Sequence, residues 1–118
     1  MFSVGEEQFE QFVADAIDAI PDNVAKAMDN VAFIIEDDSP DGEALGAYDG
    51  IPIPQRESSV YPFQAATGRP DRIVLYKRAI ERASGSESGV RDTVRRTLHA
   101  QVARLFGVAE RELGWAVQ

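Results

Sequence analysis

The sequence predicts an α+β protein with N-terminal helices, a small, mostly antiparallel or mixed sheet of about three strands, and a long C-terminal helix. Apolar residues recur at three- and four-residue steps near both ends of the chain, which is the period of an amphipathic helix. Short apolar runs of strand length lie between these segments, separated by turn-forming residues. With 118 residues and 44% hydrophobic content, the chain has apolar surface for one core, so we expect a single domain over residues 1–118.

The first predicted helix has the strongest periodicity in the N-terminal half. Its apolar face consists of Phe9, Phe12, Val13, Ala16, Ile17 and Ile20. Ser3 and Glu6 have the spacing of a capping box, in which each side chain accepts a backbone N–H, so we expect the helix to begin there. Pro21 cannot continue the helix, and the following Asp22 and Asn23 predict the cap of a short second helix.

Three segments of the chain predict strands. Val31–Ile35 is a continuous apolar run, and the Asp, Ser, Pro and Gly residues of Glu36–Gly42 then favour a turn over strand pairing. A second strand is predicted over Gly46–Ile53, where Pro52 lacks the N–H needed for a sheet ladder and therefore indicates an edge or a strand end. Arg72–Tyr76 predicts the third strand.

The C-terminal third of the chain predicts two helices joined by a flexible connector. A short helix follows the third strand as far as about Ala83, and the Gly- and Ser-rich segment Ser84–Gly89 links it to the last helix. The predicted core stripe of that last helix is Val90, Val94, Leu98, Val102 and Leu105. Gly107 suits the left-handed position at the end of a helix, and Trp115 predicts an aromatic anchor on the core.

The composition excludes several classes of protein. The chain has no Cys, which rules out disulfides and thiolate metal sites. No apolar run approaches the roughly 20 residues that a membrane span requires. The acidic N-terminus also lacks the basic start and apolar stretch of a secretory signal. We therefore expect a cytoplasmic protein without a membrane partner.

Charge is distributed unevenly along the chain, whose net charge is −8. Residues 1–60 carry 14 acids and two bases, a net charge of −12, whereas residues 61–118 carry 10 bases and six acids, a net charge of +4. This pattern favours complementary surfaces that pack within one domain. In the alternative, Arg91, Arg95 and Arg96 bind an acidic partner such as a second copy of the chain, so monomer and homodimer both stay open. The negative charge and the lack of interleaved aromatic and basic residues argue against nucleic acid.

Several short segments, in the same order along the chain, together resemble one family. They are Met28–Asp37 with its Asp-Asn-Val lead into a strand, Gly46–Ile51 with a Tyr-x-Gly turn, Pro70–Tyr76 with Pro-Asp-Arg-Ile, and Glu112–Trp115. The segment Thr93–Gly107, which ends in Phe-Gly, resembles the H-E-x-x-H helix of the small bacterial zincin-like metallopeptidases. The resemblance covers nearly the whole chain and implies a minimal zincin-like domain.

In the register of that resemblance, none of the three motif residues is present. The first His position holds Ala100, the Glu position holds Gln101, and the second His position holds Arg104. The family's zinc chemistry needs two imidazoles on one helical face and a carboxylate that handles a proton of the bound water. Ala100 has no donor atom, Gln101 has no basic carboxylate, and Arg104 is permanently charged. The resemblance therefore implies a degenerate member with no catalytic residues and no cofactor.

Three further side chains are weaker candidates for metal ligands. The family's acidic third ligand corresponds to Glu110, although Glu112 can take that place because the link to the C-terminus is short. His99, the only His, points about 140° away from the centre of the motif positions, and we expect a partly exposed residue with no ligand role. If zinc is bound at all, His99, Glu110 and Glu112 are its unconventional ligands.

The sequence therefore favours a non-enzymatic function, in which the former zinc cleft holds a peptide or protein and Arg104 pairs with a carboxylate. Zincins hold substrate along an exposed strand, and an edge near residues 51–63 is suited to strand addition. The favoured interpretation of Gln55–Arg69 is nevertheless a loop whose Tyr61 and Phe63 pack into the core. The alternative function is an active zinc-dependent metallopeptidase with the unconventional ligands.

Overall fold

The computed structural model of the chain describes residues 3–28, 30–56, 70–113 and 115. Its elements confirm the predicted α+β class and the long C-terminal helix. The helices are α1 (Glu6–Asp18), α2 (Asp22–Ala27), α3 (Ile53–Arg56), α4 (Lys77–Ala83) and α5 (Glu87–Phe106), followed by a 3-10 turn at Glu110–Glu112. The strands are β1 (Val31–Glu36), β2 (Gly46–Asp49) and β3 (Asp71–Tyr76).

Helix α1 packs its predicted apolar face against α5. The buried residues of that face are Phe9, Phe12, Val13 and Ala16. The predicted capping box is wrong, because the N-cap is Gly5 in an extended conformation and no side chain caps the helix. A buried carboxylate instead anchors the segment that enters α1. Glu81 of α4 accepts hydrogen bonds from the backbone N–H of Val4 at 2.8 Å and from Lys77 Nζ at 3.0 Å.

Helix α2 begins one residue earlier than the predicted cap. Pro21 is the N-cap, and its carbonyl oxygen accepts hydrogen bonds from the N–H groups of Val24 at 3.0 Å and Ala25 at 2.8 Å. Asp22 therefore lies in the first turn of the helix, where the partial positive charge of the helix N-terminus favours a carboxylate.

The three strands form a mixed sheet in the order β1-β3-β2. Strand β1 runs parallel to β3, with Val31 opposite Asp71, and β2 runs antiparallel to β3, with Gly46 opposite Leu75. Strand β3 is therefore paired on both sides, and its Ile73 and Leu75 are buried in the core to which α1 and α5 contribute. The predicted number of strands and the mixed pairing are confirmed for the described residues.

Strand β2 is shorter than predicted and ends at Asp49. A side chain at the next residue, Gly50, would overlap the carboxylate of Asp71. The Tyr48 hydroxyl donates to Asp71 Oδ2 at 2.6 Å, which holds that carboxylate beside the glycine. Pro52 then cannot donate to a ladder, and the chain turns into α3.

Substitution of Gly46 tests the contact between β2 and α5. A Cβ atom on Gly46 would lie 2.7 Å from Thr97 Cγ2 and 2.8 Å from the Val74 carbonyl oxygen, so one of these neighbours has to move. We expect Gly46→Ala to lower the free energy of unfolding by about 2 kcal/mol, measured by urea denaturation. Gly85→Ala is the matched control, because no heavy atom lies within 4 Å of a Cβ there. Equal stability of the two variants would contradict the close approach of β2 to α5.

Three ion pairs connect the acidic N-terminal half of the chain with the basic C-terminal half. They join Asp37 to Arg78 at 3.2 Å, Asp38 to Arg82 at 2.7 Å, and Asp49 to Arg72 at 3.4 Å. The two halves therefore meet within one chain, as the charge pattern predicts.

The turn between β1 and β2 is tied to α4 by Arg82. Its guanidinium binds both carboxylate oxygens of Asp38, at 3.0 and 2.7 Å, and donates to the Gly42 carbonyl at 2.7 Å. The hydrogen bonds from Arg82 hold the pKa of Asp38 below its usual range, and the backbone N–H groups of Ala44 and Glu43 do the same for the pKa of Asp41. Because these groups are exposed, the contacts orient the turn more than they stabilise the fold.

Helix α5 crosses the core as the sequence predicts. Its predicted stripe residues, Val90, Val94, Leu98, Val102 and Leu105, are all fully buried. Ser86 caps the N-terminus by accepting the Gly89 N–H at 3.0 Å, and Gly107 ends the helix in a left-handed conformation with φ 69°. Both ends are thus set by local sequence, but the helix begins at Glu87, inside the segment Ser84–Gly89 that the sequence predicts as a flexible connector.

Two sequence predictions fall mostly beyond what the structure describes. Most of the predicted loop Gln55–Arg69, including Tyr61 and Phe63, lies outside the described residues, as does the 57–63 part of the predicted strand edge near residues 51–63. Within the described part of the chain, no helix combines the length and apolar character that crossing a membrane requires.

Candidate functional site

Between residues 93 and 105, most of α5 is buried, and its fully exposed residues lie on one narrow strip. In this range Arg96 and Arg104 are exposed, Ala100 and Arg95 are half-buried, and every other residue is buried. At about 100° per residue, Arg96, Ala100 and Arg104 together span only about 80° of the helix circumference. They form a continuous line along the helix, which we call the exposed stripe.

The motif positions Ala100, Gln101 and Arg104, which we call the vestigial site, lie on or beside the exposed stripe. Gln101 borders it and is 8% exposed, because the start of β2 covers this flank: a Cβ atom on Gly46 would lie 3.5 Å from Gln101 Cγ. Arg104 Nη1 donates a hydrogen bond to Gln101 Oε1 at 3.3 Å. The structure thus brings together the two polar residues of the site that the sequence singles out.

The residues of the vestigial site do not fit a zinc ion. A zinc site needs several nitrogen, oxygen or sulfur donors around one point. Ala100 offers a methyl group, and Gln101 offers one neutral amide oxygen, which already accepts from Arg104. The guanidinium of Arg104 also places a permanent positive charge next to that oxygen. The arrangement therefore repels a metal cation and suits a negatively charged group.

His99 lies on another side of α5 and is a buried structural residue. Its exposed fraction is 6%, so the predicted partial exposure is wrong. Nδ1 lies 3.0 Å from Glu110 Oε1, Nε2 lies 2.6 Å from the Trp115 carbonyl oxygen, and the Trp115 ring makes an edge contact at 4.7 Å between ring centroids. The carbonyl can only accept, so Nε2 donates to it, while Nδ1 faces the Glu110 carboxylate. Both ring nitrogens are therefore engaged within the chain, and neither is open to a metal.

The two acidic candidates for a third ligand have separate roles. Glu110 contacts His99, whereas Glu112 Oε1 accepts the backbone N–H of Ala109 at 3.0 Å and closes the 3-10 turn. The structure therefore brings His99 and Glu110 together, whereas the side chain of Glu112 binds the backbone of Ala109 and not His99. Among residues 3–28, 30–56, 70–113 and 115, no group of three or more His, Cys, Asp or Glu side chains is arranged to hold a metal ion.

The three arginines grouped in the sequence do not share one surface. Arg91 is exposed, and its Nε atom lies 3.6 Å from Asp92 Oδ1. Arg95 is half-buried with its Nε atom enclosed, whereas Arg96 is exposed. Sequence reasoning missed that Arg96 belongs with Ala100 and Arg104. The signal was the spacing of one helical turn between successive members, which places all three on one side of α5.

Comparison with known protein families finds a match over most of the chain. The sequence profile of a family described as zincin-like metallopeptidase matches residues 28–116, a range that includes all three strands, α5 and the 3-10 turn. The chain matches no curated protein.

Proposed function

Because the chain belongs to the zincin-like metallopeptidase family, we propose that it is a member that has lost its zinc site and acts as a peptide- or protein-binding module. The observation that carries this proposal is the hydrogen bond from Arg104 to Gln101, because it sets a guanidinium where the family motif would set a zinc ligand. Without the zinc ligands and the general base of the family motif, the cleft has no means of cleaving a peptide but can still bind one.

The surroundings of the vestigial site support a binding role. Apart from the half-buried Arg95, the rest of α5 is buried between residues 93 and 105, yet the exposed stripe reaches solvent beside the start of β2. In the described residues β2 pairs with β3 on one side only, so its other edge is suited to an extended peptide. An exposed guanidinium next to a strand edge is an arrangement that binds the carboxylate of such a peptide.

The alternative function is an active metallopeptidase with His99, Glu110 and Glu112 as zinc ligands. One observation favours it, namely the contact of 3.0 Å between His99 and Glu110. The hydrogen bond from His99 to the Trp115 carbonyl and the engagement of Glu112 with Ala109 oppose it, because both contacts have to break before zinc can bind. We therefore prefer the binding module.

Metal stoichiometry tests the proposed function directly. The untagged protein is purified without chelator, dialysed against zinc, freed of excess metal and subjected to elemental analysis. We expect less than about a tenth of an equivalent of zinc, because the vestigial site holds a single neutral donor. Close to one equivalent, lost on Glu110→Gln and accompanied by peptide cleavage, would establish the alternative. Glu110 is suited to this control because its side chain is 57% exposed, so its replacement perturbs the fold little.

A further inference from the structure

The two guanidinium groups of the exposed stripe lack a carboxylate partner within the described part of the chain. Arg96 donates to Thr93 Oγ1 at 3.4 Å and Arg104 to Gln101 Oε1 at 3.3 Å, both long contacts to neutral oxygens. Five other bases form ion pairs within the chain: Arg72 with Asp49, Lys77 with Glu81, Arg78 with Asp37, Arg82 with Asp38, and Arg91 with Asp92. In a chain with 20 acids and 12 bases, two such cations on the exposed stripe are available to a ligand.

The spacing of these cations matches an extended peptide. Arg96 and Arg104 are separated by about 12 Å along the helix axis, at about 1.5 Å per residue. Ala100 lies between them with only a methyl group, so no large side chain rises from the stripe to separate the two charges. In an extended chain, side chains about four residues apart point to the same side and lie about 13 Å apart. Two acids at that spacing therefore reach both guanidinium groups together.

The net charge of the whole chain favours an acidic peptide over nucleic acid as the ligand of the exposed stripe. The planar pair of donors on a guanidinium group fits the oxygens of a carboxylate and of a phosphate equally well. Nucleic acid, however, carries a long, dense row of phosphates. A chain with a net charge of −8, of which residues 1–60 alone carry −12, repels such a row. A short acidic segment brings only the few charges that the stripe can neutralise. The charge balance thus favours carboxylates on a peptide.

We propose that the exposed stripe binds an extended acidic segment of a partner protein, with one carboxylate on Arg96 and a second on Arg104. This proposal rests on the proposed function and gives it a ligand chemistry, since it assigns one carboxylate of the bound peptide to the guanidinium of Arg104 at the vestigial site. The proposed contact is exposed and ionic, so it is moderate in affinity and sensitive to salt.

Fluorescence anisotropy with a defined probe tests the proposal. The probe is a labelled peptide of about ten residues, with two glutamates about four residues apart in an alanine–serine background, and its control carries glutamines instead. We expect the glutamate probe to bind more tightly than the control, and its binding to weaken as sodium chloride rises from about 0.05 to about 0.5 M. Arg96→Gln and Arg104→Gln should each weaken binding about threefold, and both together about tenfold.

Arg91→Gln is the matched control, because Arg91 is an exposed arginine of the same helix, lies off the exposed stripe and already contacts Asp92. Equal binding of the two probes, or an equal loss on Arg91→Gln, would overturn the proposal. Tighter binding to a short DNA duplex, or self-association abolished by the double Arg variant, would overturn it in favour of nucleic acid or a second copy. Zinc content is measured on the same samples. A zinc-free protein without charge-dependent binding overturns this proposal alone, whereas one bound equivalent of zinc overturns the proposed function as well.

Discussion

The triple variant Ala100→His, Gln101→Glu and Arg104→His is expected to take up about one equivalent of zinc, whereas the parent protein takes up less than about a tenth. The variant restores two imidazoles one helical turn apart and a carboxylate beside them. It also removes the guanidinium that opposes a metal cation at this place. We expect the uptake to be visible by elemental analysis and to be reversed by a chelator.

The position of the vestigial site explains why the expected effect is large. Ala100 and Arg104 lie on the exposed stripe, so imidazoles at both positions project to the same side of α5 and remain accessible to solvent. Glu110, one of the two candidates for the family's third ligand, contacts His99 on a different side of the helix. The restored site therefore begins with two protein ligands and water, and it should bind zinc less tightly than a complete family site.

A second pair of histidines provides the matched control for zinc uptake. Gln11→His with Asp15→His places two imidazoles one turn apart on the exposed side of α1, away from the vestigial site, and replaces the carboxylate that Gln11 contacts. If this pair takes up as much zinc as the triple variant, the uptake reflects any exposed pair of histidines and not the former motif. If the parent protein already binds one equivalent, the loss of the zinc site is contradicted.

His99→Ala is expected to lower the free energy of unfolding by about 3 kcal/mol. The change removes a ring that is 6% exposed and leaves a cavity against Trp115. It also deletes the hydrogen bonds to Glu110 Oε1 and to the Trp115 carbonyl, which hold the segment after α5 against the helix. Urea denaturation followed by circular dichroism measures the loss, and the fluorescence of the single Trp reports release of this segment.

The same experiment separates a structural role of His99 from a role as a metal ligand. Glu110→Gln is the matched control, because it changes the exposed partner of the same contact and should cost no more than about 1 kcal/mol. Both variants are compared in the presence of chelator. If His99→Ala and the parent protein have the same free energy of unfolding with chelator, but the variant is less stable than the parent with zinc, His99 is a ligand and the structural role is wrong.

Local sequence was sufficient to predict the elements that carry the candidate site. The four-residue spacing of Val94, Leu98 and Val102 predicts α5 and its buried face, because an amphipathic helix needs only one side of its own residues to be apolar. Gly107 predicts the helix end for an equally local reason, the left-handed conformation that glycine adopts easily. The register of the vestigial site follows from these boundaries and from the resemblance to the family.

Several features of the site could not be predicted in this way. The helical period places His99 away from the motif positions, but its burial depends on Glu110 and Trp115 folding back over α5. The early end of β2 depends on the approach of Gly50 to Asp71, two residues that are distant in sequence. Neither effect leaves a trace in the periodicity of one segment.

The sequence by itself determined the α+β class, the C-terminal end and buried face of α5, and the absence of donor atoms at Ala100 and of a carboxylate at Gln101. Only the tertiary structure decided which face of α5 stays open, so that Arg96 joins Arg104 on one stripe while Arg95 is half-buried. The physical reason is that helix formation and side-chain chemistry depend on neighbours along the chain. The burial of a side chain, by contrast, depends on which distant segments lie against its face of the helix, and only the complete fold determines that.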